Sequence, residues 1–282
     1  MSFIDRGISH LGRVIKTGYI QLEFASKDSI FHRLDARVKV LFLVFFIIIV
    51  SLKKKILPEI GIAFFVFGLA VISRLNLFNF YKKVIPLGFI FGFLIALPSA
   101  FNIIIKGDII LPIFHLSRSY DFWIYHIPQT IGITREGILG VAMLTLRVLN
   151  SIALSFLILY TTSFSDIIRA LKVFRVPDAI LMIITLTYKY IFIFAKTVED
   201  MHLAKKSRMT GGISNTEARK WIAGRIAFIF RKTQQRCEDV FKAMLGRGFS
   251  DTIKLYGFRK MDSMDWTAGF FLFFAGVFFL CI

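Results

Sequence analysis

Apolar residues along this chain gather into long runs separated by short polar links. The runs cover residues 38–52, 56–73, 84–105, 137–160 and 266–282. Each predicts a membrane-spanning helix, because a bilayer core needs ~20 mostly apolar residues. The first run is short, so its flanks contribute: Asp35 as N-cap, with Arg37 and Lys39 snorkelling to the interface. A different pattern fills residues 161–265. A short helix is expected over 165–174, and Val176-Pro177-Asp178 opens the next one. Residues 180–195 are apolar enough to imitate a span, although Lys189 interrupts them. From 217 to 245, Trp221, Ile222, Ile226, Ile229, Phe230, Cys237, Val240, Phe241, Met244 and Leu245 recur three and four apart. The opposite side carries Arg219, Lys220, Arg225, Arg231, Lys232, Arg236 and Lys242. This is one long amphipathic basic helix. Residues 1–37 are also amphipathic, with Ile4, Ile8, Leu11 and Ile15 at helical spacing, which predicts a helix on the membrane surface.

Composition settles the class. Of 282 residues, 56% are hydrophobic and 33 are Phe; the mean hydropathy is +0.68. A soluble globular domain is excluded and an all-α polytopic membrane protein is predicted, with about five transmembrane helices and a polar module of long amphipathic helices. The net charge of +18 does not point to nucleic acid beside so many apolar runs; it marks cytoplasmic loops. In the five-span arrangement 29 of the 36 Lys+Arg lie on the side of residues 1–39, 74–83 and 161–265, against 6 on the other. That asymmetry predicts a cytoplasmic N-terminus and a cytoplasmic 161–265 module, with Lys53-Lys54-Lys55 running against the sum. The first 37 residues hold no isolated apolar core of a signal peptide. Cys237 and Cys281 match neither a disulfide framework nor a metal spacing.

Catalytic motifs are absent from the sequence. There is no Gly-x-x-x-x-Gly-Lys-Ser/Thr, no His-Glu-x-x-His, no Cys-x-x-Cys and no Gly-x-Ser-x-Gly. The five histidines are scattered; His115 and His126 share a loop but read as solvated polar residues, so no metal site or cofactor is predicted. Three other features carry weight. Arg147 lies at the middle of the fourth run with Asn150 one turn on. A charge there costs about 3 kcal/mol on insertion scales, so it needs a partner, either Glu59 as a structural bridge or another subunit. Gly88, Gly92, Ala96 and Ala100 fall four apart in the third run and let another helix approach closely. Finally, Ser207-Arg208-Met209 and Gly246-Arg247-Gly248 each place an arginine where a basic helix ends near glycine.

These residues bear a resemblance in their order. Leu34-Asp35-Ala36-Arg37-Val38-Lys39 resembles the Asp-Pro-Arg-x-Lys lead-in of the CbiQ/EcfT family, the transmembrane T components of energy-coupling factor transporters. Thr134-Arg135-Glu136-Gly137, Val176-Pro177 and Thr187-Tyr188-Lys189-Tyr190 resemble further family segments. Ser207-Arg208-Met209 and Gly246-Arg247-Gly248 resemble its two arginine signatures, although Ser207 and Gly246 replace alanine and Met209 is bulkier than usual. The lead-in is most like the cobalt-associated CbiQ branch. The resemblance implies a coupling subunit in the cell membrane that catalyses nothing itself. It implies two ABC-type ATPase subunits and a CbiM-like substrate-binding membrane component (an S component) as partners. Arg208 and Arg247 would each enter a groove on one ATPase. Cobalt is the implied substrate, in support of cobalamin biosynthesis, with nickel or a vitamin as the alternative; a self-contained carrier is the reading from another class. The domains expected are an N-terminal segment (1–37), four spans (38–160), coupling helices (161–265) and a last span (266–282).

Overall fold

The computed structural model describes residues 30–102, 108–115, 120–122, 125–127, 130–208, 215–249 and 261–281. The amphipathic helix expected within residues 1–37 falls mostly outside them. Eight helices of at least eight residues carry the described chain: α1 (Ala36–Leu52), α2 (Ile56–Ile72), α3 (Leu77–Gly88), α4 (Arg135–Thr161), α5 (Phe164–Leu171), α6 (Asp178–Arg208), α7 (Asn215–Gly246) and α8 (Ser263–Cys281). Two compact units divide the chain, residues 22–170 with 259–282 and residues 1–21 with 171–258.

In the first unit α1 and α2 form a hairpin around Lys53–Lys55. The carboxylate of Asp35 accepts from the Arg37 amide at 2.9 Å and starts α1. Both legs have 17 residues, or ~25 Å, shorter than the ~30 Å of a bilayer core. Four segments are long and apolar enough to cross a membrane: Leu77–Leu94, Arg135–Thr161, Asp178–Arg208 and Ser263–Cys281. The protein is therefore an all-α polytopic membrane protein. The first two expected spans are short hairpin legs, whereas Asp178–Arg208, left open by the sequence, meets the length and hydropathy of a span. Phe42, Phe46, Ile49 and Val50 of α1 meet Ile62 and Val66 of α2, Phe80 and Val84 of α3, Leu154 and Leu157 of α4 and Leu272 of α8. Rings of Phe46 and Phe65 stack at 5.3 Å, and those of Phe45 and Phe273 at 5.5 Å. In lipid such contacts stabilise by dispersion rather than by release of water.

The third span differs from the expected 84–105. It begins at Leu77, because Phe80 and Val84 turn inward one turn apart and Lys83 folds up to donate to the Tyr160 hydroxyl at 2.5 Å. It then widens into a π-helix over Phe89–Leu94 and tightens into a 3-10 turn over Leu97–Ala100. Pro86 lies just before the irregular part and Pro98 within its 3-10 turn. Prolines lack an amide donor, and membrane helices absorb that loss by such local adjustments. The loop expected over 106–136 contains strands: β1 (Ile109–His115) pairs antiparallel with β4 (Thr130–Thr134), and β2 (Tyr120–Phe122) with β3 (Tyr125–Ile127).

The second unit holds α6 and α7, 31 and 32 residues long, ~46 and ~48 Å at helical rise. Arg175, at φ 55, closes the 3-10 turn Lys172–Phe174 that leads into α6, and Lys172 pairs with Asp178 at 3.1 Å. Apolar residues of α7 remain outward: Ile226 is 63% and Phe230 71% exposed.

Candidate functional site

The end of α7 is built by its backbone. The Phe249 amide donates to the Met244 carbonyl at 3.1 Å, and the Gly248 amide to the Leu245 carbonyl at 2.9 Å. Gly248 is left-handed, with φ +78. This pair of bonds with that glycine is a Schellman motif, which closes a helix in one fixed geometry. Arg247 occupies its cap position and is exposed, with the negative end of the helix dipole behind it. Gly246 ends the helix itself, and a Cβ there would meet nothing within 4 Å. The end is thus an exposed guanidinium on a hydrogen-bonded backbone turn, a group whose fork suits carboxylates or carbonyls.

The first arginine site is made differently. Arg208 is the last residue of α6 and is exposed. Ser207 bonds back along the helix, its hydroxyl donating to the Ala204 carbonyl at 3.0 Å. Met209 lies outside the described residues, as do Gly211 and Gly212. Lys205, Lys206 and Arg208 make the last turn strongly basic.

Within the membrane region the structure brings Arg147, Asn150 and Glu59 together. Glu59 is fully buried. Asn150 donates through Nδ2 to the Glu59 carboxylate at 3.0 Å and to its main-chain carbonyl at 2.9 Å. Arg147 Nε stands 3.6 Å from Glu59 Oε1, and a terminal nitrogen of Arg147 donates to the Lys53 carbonyl. The Arg147–Glu59 bridge weighed from sequence is therefore formed inside this chain. Asn150 completes it.

The four small residues lie along α4. A Cβ on Gly88 would sit 2.2 Å from Leu149 Cδ2, and one on Gly92 would sit 3.0 Å from Thr145 Cα. Ala96 is buried. Ala100 lies past the π segment, where its carbonyl would be 2.7 Å from a Cβ on Gly137.

One expectation is corrected. Lys39 does not snorkel: it is 1% exposed. Its ammonium donates to the Thr161 carbonyl at 2.9 Å and the His32 carbonyl at 3.3 Å, so it caps the C-terminus of α4. Asp265, also buried, accepts from the Asp35 amide at 2.9 Å and from the Asp262 amide at 3.1 Å. The sequence reading missed this knot because Asp265 stands 230 positions from Asp35. Among the described residues no group of three or more His, Cys, Asp or Glu is placed to hold a metal ion.

Comparison with known proteins gives a consistent set. The profile of the cobalt transport protein family CbiQ matches residues 27–255. An uncharacterized protein of Methanocaldococcus jannaschii is 30% identical over 250 residues, covering 89% of this chain and 82% of that protein. The energy-coupling factor transporter transmembrane protein EcfT of Staphylococcus aureus is 24% identical over 83% of this chain and 85% of its own. The cobalt transport protein CbiQ of Rhodobacter capsulatus is 24% identical over 48% of this chain and 55% of its own.

Proposed function

Since this chain belongs to the CbiQ family of cobalt transport proteins, we propose that it is the coupling subunit of an energy-coupling factor transporter. Membership makes it a transmembrane component of a cobalt- or energy-coupling-factor-type transporter. The finer reading assigns it two cytoplasmic ATPase subunits and a separate substrate-binding membrane component, with cobalt as the substrate. Residues 161–265 form the coupling module on the cytoplasmic side. Arg208 and Arg247 each enter a groove on one ATPase, while the exposed apolar sides of α6 and α7 receive the substrate-binding component. Closure of the ATPases on ATP draws the two arginine ends together, and the long helices carry that displacement to the substrate-binding component. The chain supplies no catalytic group to hydrolysis.

The observation that carries this reading is the Arg247 end, an exposed guanidinium held by a Schellman turn on an otherwise solvated helix terminus. Interface arginines in such settings contribute ~2 kcal/mol or more to binding. Arg247→Glu sets repulsion on top of that loss. Pull-down of the co-expressed ATPases and an uptake assay test it. Loss of both activities with normal membrane insertion is expected for Arg247→Glu and Arg208→Glu. Wild-type binding and uptake in both variants would overturn the reading.

A further inference from the structure

Arg247 is positioned by main-chain hydrogen bonds and a left-handed glycine, but the end of α6 is held by a side chain. The Lys205 ammonium lies 4.1 Å from the centroid of the Trp221 ring. Lys205 belongs to the last turn of α6, three residues before Arg208, and Trp221 to the second turn of α7. Arg225, one turn further along α7, places its guanidinium 5.4 Å from the same ring. Lys205 is half-buried while Lys206, Ser207 and Arg208 around it are exposed. Trp221 is half-buried too, unlike Arg219 and Lys220 before it. An indole gives the strongest cation–π attraction of the aromatic side chains, and 4.1 Å lies well inside the ~6 Å range of the effect. Two cations drawn to one ring in so basic a segment offset a repulsion that would otherwise push the ends of α6 and α7 apart.

We propose that Trp221 is a positioning residue: by holding Lys205 it fixes the last turn of α6 and so the direction in which Arg208 is presented. This rests on the coupling role proposed above for Arg208. Trp221 then does for Arg208 what Gly248 does for Arg247, so the two ends have stiffness of different origin. The α7 end is set by backbone geometry, and the α6 end carries a ring contact whose strength a single substitution can grade.

The test uses the whole complex, co-expressed with its ATPase and substrate-binding subunits, and reads ATPase-subunit affinity and uptake. Trp221→Leu and Lys205→Met should each weaken ATPase binding about 3-fold or more, and the double variant should be no worse than either single one. Trp221→Phe should fall between wild type and Trp221→Leu, and Lys205→Arg should stay near wild type, since a guanidinium also stacks on the ring. If Arg208→Glu abolishes binding while Trp221→Leu does not alter it, the positioning role is wrong and the coupling reading stands. Independently, spin labels on Ala204→Cys and Ala223→Cys, in a Cys237→Ser, Cys281→Ser background, report the distance between the two helix ends in the purified chain. Trp221→Leu should broaden that distribution, and Trp221→Phe should restore most of it. An unchanged distribution would overturn the inference whatever the binding assay gives. A silent Arg208→Glu with a broadened distribution would instead strike the coupling role alone.

Discussion

The buried Glu59–Arg147 pair allows the sharpest calculation. The two side chains lie 3.6 Å apart, Glu59 fully buried and Arg147 30% exposed. At an effective dielectric of ~20 their attraction is ~4 to 5 kcal/mol, before the opposing desolvation is counted. Asn150 also donates to Glu59 at 3.0 Å, so the carboxylate keeps one strong partner when Arg147 is removed. Arg147→Leu should destabilise by about 3 kcal/mol, because a buried carboxylate then lacks its counter-charge. Glu59→Gln should cost about 1.5 kcal/mol, since an amide still pairs with Asn150 and the half-exposed guanidinium keeps water and the Lys53 carbonyl. Joint replacement, Glu59→Leu with Arg147→Leu, should fall within about 1 kcal/mol of wild type, as removal of a whole buried pair often does. Unfolding titrated with SDS in mixed micelles measures all three, and adding the single variant Glu59→Leu closes the double-mutant cycle that isolates the coupling. Single losses below ~0.5 kcal/mol that simply add would refute the pairing energy argued here.

Four shorter predictions follow from other sites. Gly248→Ala forces φ +78 on a residue with a Cβ; it should cost about 1 kcal/mol locally and speed amide exchange at Gly248 and Phe249. Lys39→Met leaves the Thr161 and His32 carbonyls without their buried donor and should lower stability by about 2–3 kcal/mol in the same SDS assay, the cost of unsatisfied buried acceptors. Gly92→Val drives a side chain into the Thr145 backbone; a loss of 1–3 kcal/mol is expected, and Gly68→Ala, with nothing within 4 Å, is the near-neutral control. The charge asymmetry predicts that cysteines at Lys54 and Lys206 label from opposite faces of the membrane, and labelling from one face would refute the five-span arrangement.

Legibility tracked how the ends of each element were marked. Residues 137–160 were read within two positions of α4, because Thr134 caps its start and accepts from the Gly137 amide at 3.1 Å. The long helix read over 217–245 became Asn215–Gly246, since Gly248 stops it by chemistry that a sequence displays. The start of α3 was hidden because Lys82 and Lys83 look like a link, whereas a lysine stem can lie along a helix and carry its charge to a tyrosine. The strands within 106–136 were missed because no clean alternation of apolar and polar residues marks them, and β1 pairs with β4 through two register irregularities. Of the two arginine ends, the close of α7 at Gly248 was legible as a local motif, whereas the glycines expected to stop α6 lie outside the described residues. The Lys205–Trp221 contact was not legible, because Trp221 also satisfies the apolar stripe of its own helix and nothing in its spacing assigns it to the preceding one.

The two polar ties between α1 and α4 also account for a register that apolar packing alone would leave loose. Lys39 bonds the carbonyl of Thr161, and Arg147 bonds the carbonyl of Lys53. From 39 to 53 and from 147 to 161 the chain advances by the same number of residues, ~21 Å of helix in each case. The helices therefore run antiparallel as two rails of equal length, tied at both ends and filled between by Phe42, Phe46, Ile49, Leu154 and Leu157. In lipid a slip of one turn would trade one set of methyl and ring contacts for a similar set at little loss. It would, however, carry Lys39 and Arg147 ~5 Å from their carbonyls together, leaving the buried Lys39 ammonium without the Thr161 acceptor and Arg147 with Glu59 alone. Polar groups at the ends thus specify the register and apolar groups between them supply the packing. On that division, hydrophobic exchanges between the ties, such as Leu154→Ile, should cost under ~1.5 kcal/mol. Either tie alone should be worth about twice as much, and a reversal of that order in the SDS assay would show that packing sets the register instead.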